Sequence, residues 1–511
     1  MDGIELTLFN HRIQTVCDEM GAVLMRTALS PNIKDRLDFS CAVFDARGEL
    51  TAQAAHIPVH LGSMAYAMAD IVNHRDWHDG DMVILNDPYL GGTHLPDVTV
   101  ISPVFADGQL CAFVANRAHH ADIGASSPGS MPLATRLDEE GVVISPTLLM
   151  EKGQLLEGSF GDILDRLRNP QLGRADFSAQ ISANLTGRIR LLSLVESMQV
   201  KHFTSGLQAL NDYAESLAHA GLQEIPDGRY HFTDVMDDDG MGNAAIPIEV
   251  TLTVTGDTIT VDFTGTGEQV AGNINCPLSV AAAAVYYVFY CLMPPQTPAC
   301  AGSFRPVSIH APARSLLNAR HPAAVAAGNA ETSSRVVDVI LGALAPALPD
   351  QIPAASHGSM NNIAMGGADW DYYETLGGGM GAGAAGGGLD AVQTHMTNTL
   401  NTPIEILEKY YPLRITRYAI RNDSAGRGQR CGGEGVIREF EFLQPASVSL
   451  LTERRYRSPW GLAGGGAGGC GKNLVNGKPL PAKTTITTDT GDRLTVMTAG
   501  GGGWGKYSHK Q

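Results

Sequence analysis

Positive charge is scarce in this sequence. Its 511 residues include 36 Lys and Arg against 53 Asp and Glu, which gives a formal net charge of −17 at pH 7. Nucleic acids and anionic membrane surfaces are bound through basic faces, so this balance argues against both as partners. Hydrophobic residues make up 44% of the chain. That share is typical of a globular protein and excludes a largely disordered one.

Long hydrophobic runs and paired cysteines are also missing. The longest apolar run, SVAAAAVYYVFYCLM, begins at Ser279. With about fifteen residues it is short for a membrane span and predicts a buried helix. The first residues, MDGIELTLFNHRIQ, contain acidic side chains and no apolar stretch, so no secretory signal is expected. The 8 cysteines form no C-x-x-C pair. We therefore expect reduced thiols in a cytoplasmic protein.

Two common catalytic signatures are absent. The chain contains no G-x-S-x-G motif of a nucleophilic serine. The segment GAGGCGKN (466–473) has the glycine and lysine spacing of a phosphate-binding loop, but Asn473 stands where Ser or Thr would bind magnesium. The following residues, LVNGKPLP, predict a β-hairpin, so no helix N-terminus would face the phosphates. We predict that this chain does not itself bind ATP.

Glycine, by contrast, is abundant, with 58 residues that cluster in the C-terminal third. The run GGGMGAGAAGGG (377–388) is followed by a polar segment that contains His395, Asn398 and Asn401. Polar side chains next to glycines, whose backbone a ligand can approach closely, suit a pocket for a small polar substrate. A packed turn, in which the asparagines bind loop amides, is an equally good interpretation.

Hydrophobic periodicity predicts the organisation of the chain. Apolar residues at three- and four-residue spacing predict a helix over residues 4–29, and alternating residues predict a β meander over 228–265. Strands and helices do not alternate regularly, so we predict an α+β fold with large mixed or antiparallel sheets and flanking helices. Three regions are expected: an α+β region (1–225), a β meander with an Ala-rich helix (226–345), and a glycine-rich, β-rich C-terminal region (346–511).

Histidines and carboxylates concentrate around one predicted hairpin. His94 and Asp97 precede the arm 98–105, and His119, His120 and Asp122 follow the arm 110–117. Antiparallel pairing of the two arms would bring both ends together. Two imidazoles and a carboxylate suit zinc or another first-row divalent ion.

The remaining member of this candidate site is Asp38, an upstream carboxylate that would complete the ligand set. A second interpretation needs no metal. In it, Thr93 and Asp97 cap a turn, while His119 and His120 end a strand and form local hydrogen bonds. The spacing of the residues does not decide between the two.

Six segments together resemble the hydantoinase B/oxoprolinase family, and the resemblance extends over essentially the whole chain. They are NDPYLGGTHLPDVTVISPVF, NRAHHADIGASSPGSM, GNAETSSRVVD, YYETLGGGMGAG, THMTNTLNTPIEILEKYYPLR and GGGGWG. The resemblance implies the B-type subunit of an ATP-dependent cyclic amide hydrolase that acts on a hydantoin, oxoproline or lactam. An A-type subunit would bind ATP and phosphorylate the substrate carbonyl, in a hetero-oligomer of α2β2 type. The B-type subunit would complete ring opening.

The resemblance also implies roles for individual residues. His94, Asp97 and His119, with Asp38 on a looser match, would bind a divalent ion (manganese, zinc or iron). His120 and Asp122 would orient these ligands, and one of them, or Asp38, would act as general base. Two other functions stay open: a subunit of an ATP-dependent ketone carboxylase of the acetone or acetophenone type, and a scaffold for the ATP-hydrolysing subunit that holds no metal.

Overall fold

The structure is a computed structural model that describes residues 1–507, except for the side chains at positions 55, 61, 67 and 69. Helices occur at intervals along the chain and vary from one turn to 29 residues. They are α1 (Gly3–Thr27), α2 (Pro31–Lys34), α3 (Pro58–Asn73), α4 (Glu157–Leu164), α5 (Pro170–Met198), α6 (Val200–Leu222), α7 (Leu278–Leu292), α8 (Ser333–Leu344) and α9 (Ile404–Tyr410). A π-helix, Gly328–Thr332, leads directly into α8.

Helix α1 forms where the sequence predicts it. The Asp2 side chain accepts a hydrogen bond from the Glu5 amide at 2.8 Å, which caps the first turn. The buried face repeats every three to four residues and packs on α5 and the first sheet, through Phe9, Ile13, Val16, Met20 and Leu24. This contact covers one face of the sheet that carries the candidate site.

That sheet has seven strands in the order β2-β1-β5-β4-β3-β6-β7, and every neighbouring pair is antiparallel. The strands are β1 (Phe39–Asp45), β2 (Leu50–Ala55), β3 (Met82–Leu85), β4 (Asp97–Ala106), β5 (Gln109–His119), β6 (Thr147–Glu151) and β7 (Gln154–Leu155). The predicted hairpin is the pair β4 and β5. Helix α5 lies across this pair and contacts both strands.

A second sheet confirms the predicted meander. Its order is β11-β10-β9-β8, with β10 and β11 parallel and the other pairs antiparallel. The strands are β8 (Gly228–Asp238), β9 (Ala244–Thr255), β10 (Thr258–Asp262) and β11 (Val307–His310). The alanine-rich run is α7, which packs against α8 within the largest hydrophobic core.

The C-terminal part forms two further sheets, of orders β13-β12-β16-β19 and β14-β15-β20-β17-β18. Their strands are β12 (Asn362–Gly366), β13 (Asp371–Glu374), β14 (Leu413–Arg421), β15 (Gly435–Phe442), β16 (Ala446–Leu451), β17 (Lys472–Val475), β18 (Lys478–Leu480), β19 (Lys483–Thr488) and β20 (Arg493–Met497). Strands β17 and β18 form the hairpin predicted after Asn473. A helix therefore does not follow the GAGGCGKN segment.

The clustered glycines allow irregular backbone segments to pack against one another. A Cβ atom on Gly379 would lie 1.9 Å from the Gly433 carbonyl oxygen, and one on Gly501 would lie 2.0 Å from the Met380 carbonyl oxygen. Only glycine fits such close approaches. The glycine-rich composition therefore reflects backbone packing in the C-terminal region.

The α+β class with large antiparallel sheets is confirmed. The largest hydrophobic core joins residues of all three predicted regions, for example Val59, Val285 and Leu451. The division at 225 and 345 remains a prediction.

Among residues 1–507, none of the helices has the length and apolarity that crossing a bilayer requires.

Candidate metal centre

The hairpin brings the predicted ligands together. Asp97 begins β4, His119 ends β5, and the two residues are paired across the strands. His94 lies three residues before Asp97, in a bend that follows Gly91 and Gly92. Gly91 has a φ of 105°, and a Cβ on Gly92 would lie 2.3 Å from the Asn86 carbonyl oxygen. Glycine is needed at both positions for the chain to turn the His94 side chain toward Asp97.

The three side chains form a compact buried cluster. Asp97 Oδ1 lies 3.2 Å from His94 Nε2 and 3.3 Å from His119 Nδ1. All three ligand atoms lie within 4.8 Å of one another. Two nitrogen or oxygen ligands on a tetrahedral ion with bonds of about 2.0–2.1 Å are about 3.3 Å apart. The two separations from Asp97 Oδ1 are therefore those expected between ligands of a first-row divalent ion.

An unsatisfied polar atom also favours an ion. Asp97 Oδ1, the oxygen that faces both imidazoles, is buried and has no hydrogen-bond partner. Buried polar atoms in native proteins are nearly always partnered, and exceptions call for an explanation such as an ion. The donor set of two imidazoles and one carboxylate suits zinc, manganese or iron. The residues present fit the group that the sequence predicts.

The other oxygen of Asp97 is held by the protein. Its Oδ2 accepts a hydrogen bond from Thr93 Oγ1 at 2.6 Å and lies 3.3 Å from His60 Nε2. Burial by itself raises the pKa of Asp97, but the electrostatic and hydrogen-bond interactions of its carboxylate with His94, His60 and His119 bring this pKa well below its ordinary value. Asp97 is therefore a carboxylate whose Oδ1 is turned toward the two imidazoles.

Main-chain contacts orient His94. Its Nδ1 lies 3.3 Å from the Ala326 carbonyl oxygen, so a proton on Nδ1 would donate there and leave the Nε2 lone pair facing the cluster. Ala326 is fixed in turn, because its amide donates to Glu140 Oε1 at 2.8 Å. Burial alone would lower the pKa of His94, but the Asp97 carboxylate outweighs it and raises this pKa.

His119 is held by packing. Its ring stacks on Tyr373, with centroids 4.6 Å apart and 12° between the planes. Its amide donates to the Asp38 carbonyl oxygen at 3.0 Å, so Asp38 lies beside it. Burial lowers the pKa of His119, and the negative charge of Asp38 opposes this effect only in part. A neutral imidazole is the form that binds metal ions.

The cluster faces a small cavity of about 20 Å³. Such a volume holds an ion or a single water molecule. Asp38, predicted as a fourth ligand, lines this cavity with His94, Asp97 and His119.

A larger cavity of about 620 Å³ lies between α3 and the start of α7. Its lining contains no group of three metal-binding side chains among the described residues, so we assign the site by chemistry rather than by size.

The structure places His120 and Asp122 elsewhere. His120 Nε2 lies 2.9 Å from Gln180 Oε1, and its ring stacks on Phe177 of α5. Asp122 accepts a hydrogen bond from the Asn169 amide at 2.7 Å, at the start of α5. Successive residues at a strand end point to opposite faces, so His120 faces α5 while His119 faces the cavity. Neither His120 nor Asp122 lines the cavity, and their contacts do not support a catalytic role.

The polar segment after the glycine run combines both interpretations left open by its sequence. Thr397 and Thr399 line the metal cavity. Asn401 Nδ2 donates to Glu374 Oε1 at 2.9 Å, and the exposed Asn398 donates to the His56 carbonyl oxygen at 2.9 Å. The asparagines thus fix the loop, and the threonines face the candidate site.

Two further polar residues contact the predicted ligands and were not predicted from the sequence. His60 in α3 contacts Asp97, and Asn329 in the π-helix lies 3.2 Å from His94 Nε2. Each is a lone polar residue far from the hairpin in sequence. No local spacing links either one to His94 or Asp97, so only the tertiary structure identifies them.

Comparisons with known proteins give the same family as the sequence segments. The family model described as Hydantoinase B/oxoprolinase matches residues 2–507. The chain is 40% identical to 5-oxoprolinase 1 of Arabidopsis thaliana over 99% of its own length and 42% of that protein. It is 31% identical to a protein of Pseudomonas sp. strain NS671 assigned as the B-type subunit of a D-/L-hydantoinase, over 99% and 90% of the two chains.

A solved structure agrees with these relatives. The crystal structure of the ATP-dependent caprolactamase from Pseudomonas jessenii superimposes with a TM-score of 0.92 at 27% identity, covering 99% of this chain and 91% of that chain. The chain spans about two fifths of the 5-oxoprolinase of Arabidopsis thaliana, so the activity of that whole protein does not transfer directly. With a family match over nearly all its residues, this chain belongs to the hydantoinase B/oxoprolinase family.

Proposed function

We propose that this chain is the B-type subunit of an ATP-dependent cyclic amide hydrolase. The buried cluster of His94, Asp97 and His119 carries the proposal, because it provides the ligands for a divalent ion at the predicted hairpin. The matched relatives include a protein assigned as the B-type subunit of a hydantoinase and an ATP-dependent caprolactamase. In our proposal the substrate is a hydantoin, oxoproline or lactam.

The division of labour follows from amide chemistry. A cyclic amide resists water because resonance stabilises its carbonyl and its nitrogen is a poor leaving group. Phosphorylation of the carbonyl oxygen makes the carbon electrophilic. The GAGGCGKN segment leads into the hairpin of β17 and β18, so it lacks the helix N-terminus of a phosphate-binding loop. We therefore assign the phosphorylation to an A-type subunit that binds ATP, within an α2β2-type hetero-oligomer in the cytoplasm.

In this chain, His94, Asp97 and His119 would hold the ion, with Asp38 as a fourth ligand. A divalent ion in such a site lowers the pKa of a water molecule and polarises a carbonyl oxygen. Asp38 lines the same cavity, and a carboxylate that binds the ion through one oxygen would have its other oxygen free to accept the proton of the attacking water. Of the three candidates for general base, Asp38 alone faces the site. We therefore assign this role to Asp38 instead of His120 or Asp122.

The test is reconstitution of the two subunits. The chain and its A-type partner are assayed separately and together for ring opening and for ATP hydrolysis. We expect ring-opened product only from the complete, ATP-supplied complex. A complex that carries His94→Ala should still bind the partner and consume some ATP, but it should release no ring-opened product.

Three results would overturn the proposal. Ring opening by this chain alone without ATP would refute the division of labour. Bicarbonate-dependent turnover of a ketone would identify a carboxylase subunit. A metal content far below one equivalent in active complex would identify a scaffold without an ion.

A further inference from the structure

The π-helix that precedes α8 directs one polar side chain into the metal cavity. Asn329 is its second residue, is 4% exposed and lines the cavity. Gly328 permits this placement, since a Cβ there would lie 1.8 Å from the Asn275 carbonyl oxygen. π-Helices are uncommon and occur frequently at functional sites. The local backbone is therefore specialised for the position of Asn329.

In the Asn329 side-chain amide, the nitrogen has hydrogen-bond partners and the oxygen has none. Its Nδ2 lies 3.2 Å from His94 Nε2 and 3.4 Å from Asp97 Oδ2. Its Oδ1 is buried and has no hydrogen-bond partner. An amide oxygen is a strong acceptor, and leaving it buried without a partner destabilises the folded protein. The site therefore offers a free oxygen next to the predicted ligands.

Binding of a cation changes what this amide can contact. With its proton on Nδ1, which faces the Ala326 carbonyl oxygen, His94 has one lone pair on Nε2, and this lone pair either accepts from Asn329 or binds the cation, but not both. Half a turn of the terminal amide exchanges Oδ1 and Nδ2 without changing the space that the side chain fills. Oδ1 then takes the position 3.2 Å from His94 Nε2, the same separation as Asp97 Oδ1 from that nitrogen.

We propose that Asn329 supplies its amide oxygen as a further ligand of the divalent cation held by His94, Asp97 and His119. The inference rests on the proposed function, because it requires that these three residues bind a cation. A neutral oxygen ligand suits manganese and other hard divalent ions, and it adds no negative charge to a site that already contains Asp97.

The experiment measures metal binding alone. Full-length protein is freed of metal with a chelator and titrated with Mn²⁺, and bound Mn²⁺ is followed by electron paramagnetic resonance. We expect Asn329→Ala to bind Mn²⁺ at least about tenfold more weakly than the unchanged protein. Asn329→Asp keeps an oxygen at the same reach and should bind at least as tightly as the unchanged protein. Both variants should alter the spectrum of bound Mn²⁺, since its ligands change.

Asn211→Ala is the matched control. Asn211 is a buried asparagine of α6 that does not line the cavity, so its loss should leave Mn²⁺ affinity and spectrum unchanged. Thermal unfolding of every variant reports whether it folds. If Asn329→Ala does not fold, Asn329→Ser replaces it, because serine is polar but too short to reach the ion.

The results distinguish an error about the role of Asn329 from an error about the metal site itself. Mn²⁺ affinity of Asn329→Ala within twofold of the unchanged protein, together with lost binding in His94→Ala, overturns the role of Asn329 only. Unchanged binding in His94→Ala as well overturns the proposed metal site. Weak binding in both Asn329→Ala and Asn329→Asp also contradicts the ligand role, since the aspartate retains the oxygen.

Discussion

The imidazole of His119 lies flat against the ring of Tyr373, with centroids 4.6 Å apart and planes inclined by 12°. The guanidinium of Arg36 also lies over the ring of Tyr373, 4.9 Å from the ring centroid. Arg36 is anchored by hydrogen bonds to the Tyr373 carbonyl oxygen and to Thr375. This stack of three side chains fixes the plane of His119 and hence the direction of its ligand nitrogen.

Removal of the Tyr373 ring should weaken metal binding. We expect Tyr373→Leu to lower metal affinity about tenfold, as loss of groups that orient a ligand commonly does. Tyr373→Phe retains the stack and should keep native affinity. It loses the hydrogen bond to Asn362, so its free energy of unfolding should fall by about 1 kcal/mol. Competition with a chelator measures affinity, and native affinity in Tyr373→Leu would show that the stack does not position His119.

Loss of either histidine ligand should abolish metal binding. We expect His94→Ala and His119→Ala each to lose bound metal and ring-opening activity, while circular dichroism and thermal unfolding show that most of the fold remains. His202→Ala is the control, because His202 is an exposed residue that pairs with Glu5 away from the cavity. Severe unfolding of both ligand variants, with no change in metal content of the folded fraction, would instead support the turn-capping interpretation.

Glu140 should make stability dependent on pH. Burial raises the pKa of this carboxyl to about 7, from an ordinary value of 4.5. Between these two pH values the folded protein retains a proton that the unfolded chain has released. The free energy of unfolding should therefore fall as the pH rises from about 4.5 to about 7, by an amount of the order of 3 kcal/mol from this group.

Glu140→Gln tests this dependence, because glutamine stays neutral and keeps an oxygen that can accept from the Ala326 amide. We expect a shallower fall of the unfolding free energy over the same pH range in chemical denaturation. A residual slope is expected from Glu331, whose pKa burial also raises to about 7. Glu151→Gln, at an exposed position of β6, should leave the slope unchanged. Equal slopes in Glu140→Gln and the unchanged protein would refute the assignment.

Close backbone packing should make Gly501 intolerant of a side chain. The Cβ of Gly501→Ala would lie 2.0 Å from the Met380 carbonyl oxygen, so the glycine-rich segments must separate. We expect a loss of about 3 kcal/mol or more in unfolding free energy. Gly386→Ala is the control in the same glycine-rich region, because its Cβ would have no atom within 4 Å. Thermal unfolding compares the two, and equal stabilities would contradict this packing.

A hydrogen bond joins two segments that line the metal cavity. Asn398 follows Thr397 and donates to the carbonyl oxygen of His56, which precedes Ile57. Its loss in Asn398→Ala, worth about 1 kcal/mol, should speed release of metal to a chelator about fivefold. Asn476→Ala, in the β17–β18 turn, is the control. Equal release rates would show that these segments do not open when metal leaves.

The order of helices and strands was largely predictable from the sequence. The spacing of hydrophobic residues along the sequence predicts helix α1 and the meander β8–β10, because this spacing depends only on the local geometry of a helix or a strand. The hairpin β4–β5 was also predictable, and antiparallel pairing then placed Asp97 opposite His119. The core of the candidate metal cluster could be inferred because its predicted ligands lie at the two ends of one hairpin.

The α+β elements, the family resemblance and the candidate ligands on the hairpin could therefore all be inferred from the sequence. Which other residues face the site depends on the tertiary structure. It brought His60, Asn329 and Tyr373 to the cluster from three distant elements, and it turned His120 toward α5. The reason is physical: strand pairing is fixed by local periodicity, whereas contacts between separate helices and loops depend on how the whole core packs.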